Sequence, residues 1–164
     1  MRNATRIIGV DPGLVSTGWG VIDAAPGQLH FVACGTINPK VSLGLAERLL
    51  QLHRDLTAII DLHRPTLSAL EETFVTANGQ STLKLGQARG ALLVTLSAAS
   101  LPVSEYAARV VKKAVVGTGK AEKEQVSQMV GMLMPNARDA LASCKHDAAD
   151  ALAIAICHAN HHRF

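Results

Sequence analysis

The chain has 164 residues, of which 48% are hydrophobic and 18% are charged, and its formal net charge is +3. This hydrophobic fraction excludes a disordered chain, and no apolar run could cross a bilayer without carrying a charge. With only 3% aromatic residues, the core must come from Leu, Val, Ile and Ala. We expect one cytoplasmic domain spanning residues 1–164, without a signal peptide.

The cysteines and the mild positive charge restrict function less than the hydrophobic pattern does. Cys34, Cys144 and Cys157 are widely spaced and form no CxxC pair. Structural thiols in a reducing compartment are therefore the default interpretation. The positive net charge is compatible with a nucleic-acid partner but does not establish one.

The N-terminal region predicts three strands joined by short turns. The first covers residues 6–11 and stops at Pro12-Gly13, and the second and third cover residues 16–23 and 29–37. Sequential strands with short connections form an antiparallel meander. Gly18 and Gly20 have no side chain, so another element could lie very close to the second strand.

The remaining pattern alternates between helices and short strands. Ser42 is predicted to cap a helix that ends at His63, before Pro65. Strands at 67–71 and 102–106 flank a helix at 80–99, and helices follow at 107–115, 121–134 and 146–160, with a polar loop at 136–145. Such helical crossovers predict a three-layer α/β fold, with a five-stranded mixed sheet flanked by helices. The predicted core positions of the 80–99 helix are Leu83, Leu85, Ala88, Leu92 and Leu96.

Carboxylates stand at the ends of two predicted strands and at the start of the last helix. Asp11 ends the first strand, where it could equally cap the turn, and Glu71 ends the fourth. Asp147 and Asp150 are three residues apart, so they share a face in the first turn of a nearly uncharged helix. A capping role would explain one of this pair but not both.

The carboxyl ends of parallel strands meet at one sheet edge, so these acids are predicted to converge. Converging carboxylates raise each other's pKa values unless a cation neutralises them, and oxygen ligands favour Mg²⁺ or Mn²⁺ over zinc. Two such ions clamp the attacking and leaving oxygens of a phosphodiester. The pattern therefore indicates hydrolysis of a nucleic-acid backbone. Glu72 faces the opposite side of its strand from Glu71, so only one of them can join the site.

The chain resembles the RuvC family of bacterial Holliday-junction resolvases, within the ribonuclease H-like superfamily. The resemblance covers nearly the whole chain, and several motifs in the same order make it specific. These motifs are Ile8-Gly9-Val10-Asp11-Pro12-Gly13, Ala69-Leu70-Glu71-Glu72-Thr73-Phe74, Leu83-Lys84-Leu85-Gly86-Gln87-Ala88-Arg89-Gly90, Glu105-Tyr106-Ala107-Ala108-Arg109, Val115-Val116-Gly117 and Asp147-Ala148-Ala149-Asp150-Ala151-Leu152-Ala153-Ile154-Ala155.

The resemblance implies a metal-dependent endonuclease that binds four-way DNA junctions as a homodimer and cuts strands of like polarity. It implies that Asp11, Glu71, Asp147 and Asp150 hold the metal, expected to be two Mg²⁺ ions per site, with Mn²⁺ as a substitute. It also implies the branch-migration proteins RuvA and RuvB as partners and a short preferred cleavage sequence. Because some relatives carry a histidine near the same place, His146 is either an auxiliary ligand or base, or simply an exposed residue.

Two groups of residues are predicted to contact DNA. Phe74 follows Glu71 and either stacks on an unpaired base or packs into the core. Basic residues around Gly117 and Gly119 could clamp the DNA backbone, although a charged helix face is ordinarily just solvated. The resemblance places Lys112 and Lys123 at family DNA-binding positions. The full predicted set is Phe74, Lys84, Arg89, Arg109, Lys112, Lys113, Lys120 and Lys123.

Two other functions fit parts of the sequence. Asp11-Pro12-Gly13 followed by Ser16-Thr17-Gly18 resembles a phosphate loop of the actin and Hsp70 type, but that class needs two lobes. A junction-binding protein without cleavage is the other alternative, and the intact acids at all the motif positions argue against it.

Overall fold

The structure contains the predicted five-stranded mixed sheet. The structure is a computed structural model that describes residues 4–72, 77–144 and 146–162. The first three strands pair antiparallel, while the fourth and fifth extend the sheet in parallel from the first, in the order β3-β2-β1-β4-β5. The strands are β1 Thr5–Asp11, β2 Thr17–Ala25, β3 Gln28–Ile37, β4 Leu67–Glu71 and β5 Val103–Tyr106.

The described residues contain six α-helices and one turn of 3₁₀-helix. None of these helices is both long and apolar enough to span a bilayer. The helices are α1 Leu45–His63, α2 Gly79–Ala98, α3 Ala108–Val116, α4 Lys123–Leu133, α5 Arg138–Ser143 and α6 His146–His161, and the 3₁₀ turn is Pro135–Ala137.

The helices form two layers, one on each face of the sheet, which confirms the three-layer prediction. Successive β1 residues face opposite ways, so Ile8 packs with α1 and α2 residues such as Leu52 and Leu92. Ile7 instead packs on the other face, in a core shared with α3, α4 and α6. Burial on both faces explains why β1 is an almost continuous run of apolar residues.

Helix α6 lies directly on the backbone of β1 and β2 at three glycines. A β-carbon added at Gly9 would stand 2.1 Å from the carbonyl oxygen of Ala151, and one at Gly20 would stand 2.7 Å from the Leu152 side chain. A β-carbon added at Gly18 would stand 1.9 Å from the Asp147 carbonyl oxygen. The close approach expected at Gly18 and Gly20 is therefore confirmed, and the approaching element is α6.

Three local predictions are wrong. Gly44, not Ser42, caps α1, because the Gly44 N–H donates to Glu47 Oε2 at 3.0 Å. Leu83 is 62% exposed, since α2 is buried only from Ala88 onward. The predicted loop at 136–145 is mostly helical, as the 3₁₀ turn and α5. Here apolar contacts made by Ala137 and Leu141 outweigh a polar local sequence.

The other helix boundaries differ from prediction by one or two residues. Helix α4 begins at Lys123 rather than at residue 121, because the Glu122 N–H is capped by Gln125 Oε1 at 2.8 Å. Helix α3 ends at Val116, one residue later than predicted, and Gly117 is its C-cap. This glycine has a φ of 90° and its N–H donates to the Lys113 carbonyl.

Candidate metal centre and nucleic-acid interface

The sheet register brings the ends of β1 and β4 together. These strands are parallel neighbours in which Val10 is the register partner of Leu70. Asp11 and Glu71 are the next residues of the two strands, so they end at the same sheet edge. Both side chains line one cavity of about 220 Å³.

Helix α6 delivers the second pair of acids to this edge. Asp147 lies in its first turn, where the positive end of the helix dipole favours anions, and Asp150 follows three residues later on the same face. The contact with Gly18 holds this turn against β2 beside Asp11, because Asp11 and Gly18 are register partners. Carboxylate oxygens of Asp11, Asp147 and Asp150 all lie within 4.8 Å of one another.

Without a cation, the surroundings of the acids disfavour their negative charge. The pKa of Asp11 is raised to about 8, first by burial and then by the charges of Glu71, Asp150 and Asp147. Burial, followed by the nearby Asp150, also raises the pKa of Glu71. The pKa of Asp150 is raised by burial and by Asp147, while Lys123 opposes the shift. Half-buried oxygen donors that repel one another fit a hard divalent cation.

Two lysines share the cavity with the acids. Lys112 and Lys123 line it together with Glu71, and both lower the pKa of that carboxyl group. The Lys123 ammonium lies 3.8 Å from Asp150 Oδ2, yet the lysine side chain is 64% exposed. Such an exposed ion pair is weak and does not block the site. The cavity wall also contains Ala108, Val111, Val126 and Ala153.

Arg89 is held inside the fold rather than solvated. Its Nε donates to the Glu71 carbonyl oxygen at 3.2 Å, and its guanidinium forms an ion pair with Glu105. Only 19% of the Arg89 side chain is exposed. The arginine thus ties α2 to the last residue of β4, and its predicted contact with DNA stays a prediction.

The other basic residues predicted to contact DNA lie on and after α3 and on α2. Arg109, Lys113 and Lys120 are exposed on and after α3. Gly119 approaches Arg109, since a β-carbon there would stand 3.3 Å from the Arg109 carbonyl oxygen. Lys84 is exposed on α2, where it lines a separate groove with Leu83. Phe74 lies outside the described residues, so its stacking role stays a prediction.

Two side chains next to the acids are exposed. His146 is exposed at the start of α6, where its proximity opposes the upward shift in the pKa of Asp150. Glu72 is exposed, and its backbone N–H donates to the Tyr106 carbonyl at 2.9 Å. Glu71 is therefore the acid of this pair that lines the cavity.

The sequence did not identify the partner of Arg89 or the apolar cavity wall. Glu105 meets Arg89 only because β5 pairs with β4, with Leu70 and Glu105 as register partners. No pattern in the neighbouring sequence predicts such a contact. Part of the wall carried a local signal, since Val111 shares helical spacing with Val115 and both are buried in α3, although only Val111 lines the cavity.

Comparison with known proteins agrees with this geometry. The family model described as crossover junction endodeoxyribonuclease RuvC matches residues 7–158. Proteins of that name from Xanthobacter autotrophicus and Paramagnetospirillum magneticum are 54% and 56% identical, covering 97% and 95% of this chain and 92% of each relative.

The fold also superposes on a solved structure described as T. thermophilus RuvC in complex with Holliday junction substrate. The TM-score is 0.83 at 29% identity, over 96% of this chain and 94% of the other. The family match spans both strands and the helix that carry the clustered acids. This chain is a member of the RuvC family of crossover junction endodeoxyribonucleases.

Proposed function

We propose that this protein resolves Holliday junctions in homologous recombination and DNA repair, by metal-dependent hydrolysis of phosphodiester bonds in strands of like polarity. The observation that carries the proposal is the convergence of Asp11, Asp147 and Asp150 oxygens within 4.8 Å of one another. Family membership supports a junction substrate. We further propose that residues 1–164 are a single nuclease domain that acts in the cytoplasm.

Asp11, Glu71, Asp147 and Asp150 would hold the metal, and Mg²⁺ is the cation that fits them best. Two bound Mg²⁺ ions, or Mn²⁺ in their place, would stabilise charge on the attacking and leaving oxygens of the phosphodiester. The acids themselves lose their protons and supply the negative ligand field. His146 stands close enough to Asp150 to influence its pKa, which supports an auxiliary role as ligand or base.

The DNA would lie along the cavity edge. Lys112 and Lys123 line the cavity beside the acids, so they are positioned to bind phosphates flanking the scissile bond. Arg109, Lys113 and Lys120 extend this positive surface, and Lys84 is a more distant candidate. Contacts of this kind carry little sequence information. Phe74 would stack on an unpaired base at the opened crossover.

A homodimer would match the two-fold symmetry of a junction with two cleavage sites. The outer face of α2 is a suitable surface, because exposed Leu83 and Val94 share it with Gly86 and Gly90 at helical spacing. No described atom lies within 4 Å of a β-carbon built on either glycine, so a second helix could approach closely. RuvA and RuvB remain proposed partners, on family membership alone.

The test is cleavage of a synthetic four-way junction in Mg²⁺, compared with linear duplex of the same sequence. We expect paired nicks in the junction only, and none with chelator. Asp11→Asn should abolish cutting while junction binding stays nearly unchanged, and loss of binding as well would make Asp11 structural. ATP hydrolysis without DNA would instead favour an actin-type domain, and binding without cleavage would favour a scaffolding role.

A further inference from the structure

Two cysteines that are 110 positions apart in the chain meet at the edge of the sheet. The Cys34 thiol donates to Cys144 Sγ, with the two sulfur atoms 3.5 Å apart. Cys34 belongs to β3, and Cys144 caps the C-terminus of α5. Both are half-buried free thiols, whereas Cys157 is fully buried in α6.

The backbone around both thiols is already anchored. Cys34 is the register partner of Gly20 in β2 and packs against the α3, α4 and α6 core. The Cys144 N–H donates to the Ala140 carbonyl at 2.9 Å. A second contact joins β3 to the 3₁₀ turn that leads into α5, because Asn136 Nδ2 donates to the Phe31 carbonyl at 3.0 Å. The proximity of the sulfurs therefore follows from how this turn packs on β3 and places the end of α5 nearby.

We propose that Cys34 and Cys144 are a modification site, at which mild oxidation forms a reversible intramolecular disulfide. A disulfide bond is about 2.05 Å long, so the sulfur atoms must approach by about 1.5 Å for the bond to form. The bond would join β3 to the residue three positions before Asp147. It would thereby restrain the start of the helix that carries Asp147 and Asp150.

The reaction balances with hydrogen peroxide as the oxidant. Burial and the neighbouring Cys144 raise the pKa of the Cys34 thiol. The Cys34 S–H also donates to Cys144 Sγ, so the Cys144 sulfur is the one that reacts with the oxidant first. The Cys144 sulfur, after losing its proton, attacks the peroxide, which forms an S–O bond, breaks the O–O bond and releases water. Cys34 sulfur then attacks Cys144 sulfur, the S–S bond forms, and the S–O bond breaks. The Cys34 proton leaves with the departing hydroxide as a second water.

The disulfide is expected to stabilise the folded protein. It would close a long loop in the unfolded chain, which restricts the unfolded ensemble more than the native state. Oxidised protein should therefore melt several degrees higher than reduced protein, and added dithiol should reverse the shift. The effect requires both cysteines, whereas Cys157 is dispensable for it.

The experiment treats the folded full chain with stoichiometric peroxide and maps the unreduced peptides by mass spectrometry. We expect one cross-link, between the Cys34 and Cys144 peptides and lighter by two hydrogens, in wild type and C157S but not in C34S or C144S. Thermal melts of the same samples should rise only where that cross-link forms.

Several outcomes would overturn the proposal. They are a Cys34–Cys144 pair that stays reduced under peroxide, sulfinic acid at either residue without cross-linking, or disulfides that involve Cys157 or a second molecule. If a serine variant fails to fold, the wild-type peptide map decides alone, because it identifies the linked residues directly. If cross-linked protein melts at the same temperature as reduced protein, the disulfide does not stabilise the fold.

Discussion

The α-carbon of Gly18 lies so close to Asp147 that a β-carbon on the glycine would stand 1.9 Å from the Asp147 carbonyl oxygen. Gly18 is also the register partner of Asp11 in β1. One glycine therefore fixes the distance between the acid that ends β1 and the acids that begin α6. The carboxylate cluster depends on this backbone contact as much as on the acids themselves.

Gly18→Ala should therefore damage both the fold and the site. The new methyl group meets backbone rather than a flexible side chain, so α6 must move away, at a cost of about 1–3 kcal/mol or more. We expect a lower melting temperature and loss of junction cleavage even at high Mg²⁺. Gly79→Ala is the control, since no described atom lies within 4 Å of a β-carbon there. Wild-type cleavage by Gly18→Ala would contradict this account of the site.

Glu71 and Glu72 provide a matched pair of adjacent acids. Glu71→Gln removes a carboxylate from the cavity, and we expect cleavage to fall at least about 100-fold, since loss of even outer-shell partners of a metal costs about 10–100-fold. Glu72→Gln alters an exposed side chain and should leave the rate within about two-fold. The measurement is single-turnover junction cleavage. Equal losses in both variants would show that the register does not select Glu71.

The stability of the metal-free protein should fall as pH rises. The pKa of Asp11 is raised to about 8, so the folded state holds this proton more tightly than the unfolded state. Its contribution is complete below the unfolded pKa near 4 and is lost as pH rises through about 8. Melting with chelator should thus give a higher temperature at pH 5 than at pH 8.

Metal and substitution provide the controls for this pH dependence. Mg²⁺ should raise the melting temperature more at pH 8 than at pH 5, because the cation competes with protons for the same oxygens. Asp11→Asn should flatten the pH profile of the metal-free protein, since its amide does not titrate. A metal-free wild type that grows more stable from pH 5 to pH 8 would refute the assignment.

Lys112 and Lys123 should contribute to DNA affinity through phosphate contacts. We expect Lys112→Ala or Lys123→Ala to weaken junction binding several-fold and to reduce the slope of log affinity against log salt by about 1. Titrations at several salt concentrations, in calcium or chelator to prevent cutting, provide this slope. Arg54→Ala is the control, because Arg54 is exposed on α1 in the opposite helix layer. An unchanged slope would remove that lysine from the interface.

Val94→Glu should dissociate the proposed dimer. Val94 is 66% exposed on α2, so the substitution places a charge in the proposed interface without disturbing the core. We expect light scattering to report half the wild-type mass and cleavage to lose its paired character. Leu62→Glu is the control, since Leu62 is 76% exposed at the end of α1. A monomeric wild type, or a dimeric Val94→Glu, would exclude α2 as the dimer surface.

The sequence by itself determined the elements and the identity of the acids. Apolar alternation in β1, the stop at Pro12-Gly13 and the small apolar residues after Asp150 are local signals, since each depends on neighbours along the chain. They were enough to predict the antiparallel meander, the three layers and Asp11, Glu71, Asp147 and Asp150 as a group. The prediction that Leu83 is buried was wrong, because a periodic pattern does not show which part of a helix packs against the rest of the fold.

Only the tertiary structure decided which side chains touch. Arg89 is equally compatible with solvent, DNA or an ion pair until the β4–β5 register brings Glu105 to it. Cys34 and Cys144 look unrelated until the 3₁₀ turn before α5 packs on β3. Contacts between residues far apart in sequence depend on register and close packing summed over the whole core, whereas strand and helix signals are contained within a few consecutive residues.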